Sequence, residues 1–277
     1  MSREFASALV LGGGGLTGIS WETGILFGLE HRGIHLRSAE MLVGTSAGSV
    51  VAAQITSTIS LGELYQRQVD AVVTEIPGKI GPLALLRYAA TMAGRDQKRA
   101  LAKLGSRALK ADTVEESVRR AVIENRLPSH EWPATALRIT AINAETGEFT
   151  VFDEKSGVGL VDAVGASCAV PLVWPCVTIG GQRYFDGGLR SSANVDLAQS
   201  AEKVVVLAPQ TKSLRKAMSP THQLAALRTP GIVVSPDREA ASLMGSDPLD
   251  PTARAASARA GFDQAERVAD AVGAVWN

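Results

Sequence analysis

The sequence lacks several things that would have assigned it a class outright. No segment supplies the ~20 consecutive apolar residues that a membrane-spanning helix needs, so no integral membrane span is expected. No charge sign dominates: Lys plus Arg and Asp plus Glu stand at 28 each, which argues against a nucleic-acid binder. Cysteine is almost absent. Cys168 and Cys176 match no metal or redox spacing and read as reduced core thiols. Aromatics make up only 5% of residues. No internal repeat or low-complexity tract occurs. The N-terminus reaches its first apolar run too soon for a secretory signal, and glycines at once interrupt that run. A cytoplasmic protein without metal or cofactor is the expectation.

What is present is an ordinary globular composition, 277 residues with 45% hydrophobic content, organised around one stretch. The apolar run Met41-Leu42-Val43 meets Gly44-Thr45-Ser46-Ala47-Gly48, and Val50-Val51-Ala52-Ala53-Gln54-Ile55 follows without proline or glycine. That order predicts strand, sharp turn, helix. Two glycines relieve the crowding where a strand reverses into a helix, and they leave the central side chain exposed. Ser46 would then stand at a helix N-terminus, where free N–H groups favour developing negative charge. Ser46 is the candidate nucleophile; a plain Gly/Ser turn is the alternative.

Upstream, residues 6–11 read as a buried strand running into Gly12-Gly13-Gly14-Gly15-Leu16-Thr17-Gly18, then a helix over 19–31. Gly13, Gly15 and Gly18 satisfy the dinucleotide-binding pattern. That pattern also wants an acidic residue closing the second strand, where this chain has Gly44-Thr45-Ser46. The other use of such a loop is a row of backbone N–H groups that binds an anion. Beside an exposed serine, it suits acyl transfer: a nucleophile with an oxyanion hole.

Downstream, a helix is predicted over 61–73, a break at 76–82 and an apolar stretch over 83–92. From Lys79 to Lys110 eight basic residues face one acid, Asp96, a local balance of +7 in a neutral chain. These are either solvated helix faces or an insertion over the site that meets anionic lipid headgroups. Asp112-Thr113-Val114-Glu115 resembles a capping box opening a helix that ends near Arg126. Hairpins are expected over 137–152 and 177–185, a helix over 158–167, strands over 203–208 and 231–235, and a helix over 252–276. Strands alternating with helices imply an α/β protein, a three-layer α/β/α arrangement on a mostly parallel sheet.

The second hairpin delivers Asp186-Gly187-Gly188. A carboxylate there has backbone room around it and can take a serine proton directly. Ser46, Asp186 and His222 also have the chain order of a hydrolase triad, but Pro220-Thr221-His222 reads as an exposed helix start, and the fold of that triad builds several strands before its elbow whereas this elbow closes only the second. Asp186 is therefore the candidate base.

Four features in order are Gly-Gly-Gly-x-x-Gly at 13–18, Gly-Thr-Ser-Ala-Gly at 44–48, Ala-Ser-x-Ala-x-Pro at 166–171 and Asp-Gly-Gly at 186–188. On these the chain resembles the patatin-like phospholipases, serine lipid acyl hydrolases with a Ser–Asp dyad. The resemblance covers roughly residues 6–240. It implies a single patatin-like domain over 1–277, with an insertion at about 76–110 and a C-terminal helix at about 252–276. It implies hydrolysis of lipid or lysophospholipid acyl esters through an acyl-Ser46 intermediate. Asp186 would be the base, with Gly13, Gly14 and Gly15 lending the oxyanion hole their N–H groups and Ala47 a further donor. Thr17 stands where the family often has Arg or Lys, which bears on headgroup contact. Two rivals are a lipid-binding homologue that lost turnover and a nucleotide-binding oxidoreductase.

Overall fold

Alternate residues of Phe5–Leu11 (β1) divide between two hydrophobic layers, as a strand buried on both faces requires. Leu9 and Leu11 pack with Trp21, Ile25, Leu42, Val50 and Leu207 on one side. Ala8 and Val10 pack with Met41, Val43, Val204 and Val206 on the other. In the computed structural model the described residues are 4–70, 78, 81–93, 96–211 and 215–277.

From β1 the chain enters a long helix, Gly15–Glu30 (α1), then Met41–Gly44 (β2) and Ala47–Ile55 (α2). The helices Leu61–Val69 (α3), Pro82–Ala93 (α4), Gln97–Ala108 (α5) and Glu116–Arg126 (α6) follow. Next come the strands Ala136–Asn143 (β3) and Phe149–Phe152 (β4), the helix Leu160–Ser167 (α7), and the strands Val177–Ile179 (β5) and Gln182–Asp186 (β6). The chain finishes with Ala201–Leu207 (β7), Pro220–Leu227 (α8), Gly231–Val234 (β8), Arg238–Met244 (α9) and Arg254–Trp276 (α10).

The sheet runs β5-β6-β3-β2-β1-β7-β8, with β4 also on β3. The five strands from β3 to β8 in that order are parallel; β4, β5 and β6 join antiparallel. This is the expected α/β architecture, a mostly parallel sheet flanked by helices. The chain steps from β1 outward through β2 to β3 and later returns to β7 on the other side of β1. The loops after β1 and β2 thus leave from the carboxyl ends of adjacent parallel strands, where open α/β sheets form their binding crevice.

Both hairpins form as expected. Helix α1 begins at Gly15, four residues ahead of expectation. It is buried on nearly every side, so contact with α10, including Trp21 Nε1 donating to Gln264 Oε1 at 3.0 Å, overrides the poor helix propensity of glycine. The capping box does not form: the residue that caps α6 is Glu115, without a side-chain bond, and Asp112 lies outside the helix. The C-terminal helix starts at Arg254 after a 3-10 turn at Pro251–Ala253. Residues 71–77, 79–80 and 94–95 lie outside the described set, and with them the end of the helix expected over 61–73, most of the break at 76–82, Lys79 and Arg95. Among the described residues, no helix is long and apolar enough to cross a membrane.

Candidate active site

Strand β2 ends on Gly44, and α2 begins at Ala47 after two intervening residues. Between them Ser46 has φ 52° and ψ −117°, a left-handed backbone that a residue with a Cβ adopts only when its surroundings impose it. Those surroundings are specific. The Ser46 N–H donates to Ser167 Oγ at 2.8 Å, and the Cys168 thiol donates to the Ser46 carbonyl at 3.3 Å. Gly48 N–H donates to the Gly12 carbonyl at 3.0 Å, tying the elbow to the glycine loop. The approach is so close that a Cβ on Gly48 would sit 2.1 Å from the Leu11 carbonyl oxygen. Only glycine fits.

Asp186 closes β6 and is 3% exposed, against 8% for Ser46. Its N–H donates to the Ala169 carbonyl at 3.1 Å, and its Oδ1 accepts from the Gly188 N–H at 2.7 Å. The segment 167–169 therefore grips both residues: Ser167 and Cys168 hold Ser46, and Ala169 holds Asp186. Behind them, Thr45 Oγ1 accepts from Thr140 Oγ1 at 3.1 Å and from Asn194 Nδ2 at 3.0 Å. That buried network fixes the backbone just before the serine.

Burial pushes the Asp186 carboxyl up from 3.8 to about 6, against the opposing pull of the Ser46 hydroxyl and the Gly188 N–H. The Ser46 hydroxyl favours the charged carboxylate by hydrogen bonding to it. At neutral pH the carboxylate is the main form, as a general base requires.

The glycine loop divides its labour. The Gly13 N–H donates to the Ser192 carbonyl at 2.7 Å, so this donor is already engaged. What Gly13 offers instead is room: its missing Cβ would lie 3.5 Å from the Ser46 Cβ. Gly14 caps α1 and Gly15 opens it, with φ +61° at Gly15. Neither N–H has an acceptor within the helix, nor does that of Ala47 at the start of α2. Beneath the loop, Gly12 N–H donates to Oε1 of Glu22 at 2.9 Å. Glu22 is fully buried and burial raises its pKa well above 4.5, which favours a neutral carboxylic acid.

Ser46, Ala47 and Gly15 line a narrow cleft whose other walls include Leu16, Ile19, Val170, Trp174 and Leu249. Two arginines from α6 also line it. Arg119 is 7% exposed with its guanidinium 4.0 Å above the Trp174 ring, and Arg126 sits two turns further along. Both cations reach Cys168 electrostatically and oppose the burial that raises its thiol to about 11. Among the described residues, no cluster of His, Cys, Asp and Glu has the makings of a metal site. His222 is exposed near the start of α8, as expected, with its backbone N–H on the Ser219 hydroxyl.

Sequence reasoning singled out Ser46, Asp186, Gly13, Gly14, Gly15 and Ala47, and the fold brings them to one sheet edge. It missed Glu22, Thr140, Asn194, Arg119 and Arg126, which have no motif of their own. Ser167 stood within a quoted motif, but its bond to Ser46 spans 121 residues.

The elbow serine, the buried carboxylate and the glycine loop thus meet at the carboxyl edge of the parallel sheet. A comparison with family profiles matches residues 9–198, well over half of the chain, to the patatin-like phospholipases. The protein belongs to that family. Its fold resembles that of VipD from Legionella pneumophila, at 12% identity and TM-score 0.50, over 96% of this chain and 67% of VipD. It also aligns with full-length ExoU of Pseudomonas aeruginosa, solved in complex with SpcU, at 17% identity and TM-score 0.41, over 100% of this chain. The chain spans 54% of that ExoU. No curated protein matches the sequence. Family membership supports a lipid acyl hydrolase.

Proposed function

We propose that the protein is a carboxylic ester hydrolase acting on lipid or lysophospholipid acyl esters through an acyl-Ser46 intermediate. The observation that carries this reading is Ser46 held at φ 52° against the buried Asp186 carboxylate. Ser46 Oγ attacks the ester carbonyl carbon while its proton passes to Asp186. The carbonyl oxygen becomes an oxyanion that takes hydrogen bonds from the N–H groups of Gly14, Gly15 and Ala47, with the α2 N-terminus adding to the field. Collapse expels the alcohol, which leaves with the proton from Asp186. Water then attacks the acyl carbon, giving a proton to Asp186, and the returning proton on Ser46 releases the fatty acid. Leu16, Ile19, Val170, Trp174 and Leu249 supply the apolar wall an acyl chain needs.

Contact with an anionic membrane surface is part of the proposal. It is supported by Arg99, Lys103, Arg107 and Lys110, exposed on and just after α5, and by Leu86, 65% exposed on α4. The test of the hydrolase is turnover of short- and long-chain nitrophenyl esters beside phospholipid and lysophospholipid. Ser46→Ala and Asp186→Asn should each abolish it, with non-additive losses in the double variant, and His222→Ala should leave it unchanged. Activity surviving in folded Ser46→Ala would overturn the reading.

A further inference from the structure

One wall of the Ser46 cleft comes from a part of the chain that carries none of the family's motifs. Leu249 lies beyond the matched residues 9–198, in the connection between α9 and α10. It is 7% exposed and lines the cleft together with Leu16 and Ile19 of α1 and with Val170 and Trp174.

That connection is pressed onto the glycine loop. The Pro248 carbonyl accepts from the Thr17 N–H at 3.3 Å. A Cβ on Gly15 would stand 2.3 Å from the same carbonyl oxygen and 3.1 Å from Leu249 Cδ2. Within the connection, Asp247 Oδ1 accepts from the Leu249 N–H at 2.9 Å, and the Asp247 carbonyl accepts from the Asp250 N–H at 3.2 Å. These bonds engage the backbone of residues 248–250 and the side chain of Asp247. None engages the side chain of Leu249, which is left to shape the cleft.

The other Leu249 methyl faces Gly78. A Cβ on Gly78 would stand 3.2 Å from Leu249 Cδ1 and 2.5 Å from Trp174 Cζ2. The Gly78 backbone therefore fills the gap between Leu249 and the Trp174 indole. Leu249 is thus wedged between a glycine of the oxyanion loop on one side and the cover of the cleft on the other.

We propose that Leu249 is a specificity-determining residue, the side chain that sets how long an acyl group the cleft accepts. This rests on the hydrolase reading and deepens it. An ester whose carbonyl oxygen takes the Gly15 N–H has its acyl carbon close to Leu249, because one Leu249 methyl lies against Gly15. The chain leaving that carbon runs along the apolar wall, and a packed wall yields little to extra methylenes. Each methylene that the wall does admit favours binding about fourfold. Leu249→Ala shortens the wall and Leu249→Phe extends it, while the backbone bonds that hold the connection stay in place.

The experiment has a kinetic and a binding arm. In the kinetic arm, wild type, Leu249→Ala and Leu249→Phe are assayed on nitrophenyl butyrate, octanoate and dodecanoate. The readout is the ratio of kcat/KM for dodecanoate to that for butyrate, which does not depend on how much of each preparation is folded. Leu249→Ala should raise the ratio about tenfold and Leu249→Phe should lower it by a similar factor. An unchanged ratio, or a shift in the same direction in both variants, would overturn the proposal. Acetate esters of alcohols of rising length form the control: a shift confined to that series would overturn it by placing Leu249 against the leaving group. In the binding arm, wild type and Leu249→Ala are titrated with octanoate and dodecanoate in a calorimeter. The variant should gain about tenfold in its preference for dodecanoate, and an unchanged preference would refute the role of Leu249. This arm needs no turnover, so a wild type inactive on every ester would sink the hydrolase reading while the calorimetry still decides Leu249.

Discussion

Replacing Asp186 by Asn should abolish turnover and stabilise the fold at the same time. Burial raises this carboxyl from 3.8 to about 6, so the folded chain holds the proton more tightly than the unfolded chain does. Its favourable contribution is fully present below about pH 4 and is lost as the pH climbs through about 6. At pH 8 the buried charge destabilises the fold by about 3 kcal/mol relative to an ordinary carboxylate. Asn removes that charge and keeps an Oδ1 to accept from the Gly188 N–H, a bond of 2.7 Å in the wild type. The shift of the carboxyl already includes the pull of the Gly188 and Ser46 bonds on the carboxylate. The gain at pH 8 is therefore about 3 kcal/mol, on the order of 7 °C in Tm. Paired urea unfolding curves for wild type and Asp186→Asn at pH 5 and pH 8, beside ester hydrolysis, measure it. The gain should shrink to roughly half at pH 5. A destabilised variant, or a gain that ignores pH, would refute the reasoning.

Other consequences follow from the same contacts. With Asp186 at about 6, kcat/KM should rise through pH 6 to a plateau; a profile flat from pH 5 to 8 would contradict a carboxylate base. Ser167→Ala orphans the buried Ser46 N–H and should cost about 1–3 kcal/mol in chemical denaturation, with a lower kcat. Gly15→Ala forces a Cβ to 2.3 Å from the Pro248 carbonyl oxygen at φ +61°, so kcat should fall far more than KM rises. Glu22→Gln keeps an acceptor for Gly12 and removes the titration. It should match wild-type activity, and its stability advantage over wild type should grow as the pH rises above about 4.5; unfolding at pH 4 and pH 7 checks this. Changing Arg99, Lys103 and Arg107 to Gln should weaken sedimentation with anionic vesicles and leave neutral vesicles unaffected; equal binding by both proteins would leave only a solvated face.

The parts of this site that could be read from the sequence are those whose chemistry is local. A Gly-x-Ser-x-Gly elbow carries its strain within five residues, and Asp186 announces itself by the two glycines that follow. Parallel neighbours β1 and β2 were legible because each is a short apolar run ended by glycine. The supports were not legible, because their partners come from far along the chain. Thr45 meets Asn194 across 149 residues, and nothing near either residue marks the pair. Gly13 looked equivalent to Gly14 and Gly15 until Ser192 claimed its N–H. The capping box failed for a related reason: Asp112 has the right side chain, but α6 starts four residues beyond it.

The central claim is that Ser46 is a nucleophile activated by its own carboxylate partner. Fluorophosphonate labelling followed by peptide mass spectrometry addresses it most directly. Wild type should take up one phosphonyl group on the peptide containing Ser46, and folded Ser46→Ala should take up none. A folded wild-type protein that stays unlabelled at pH 8, or that is labelled on another residue, would contradict the account.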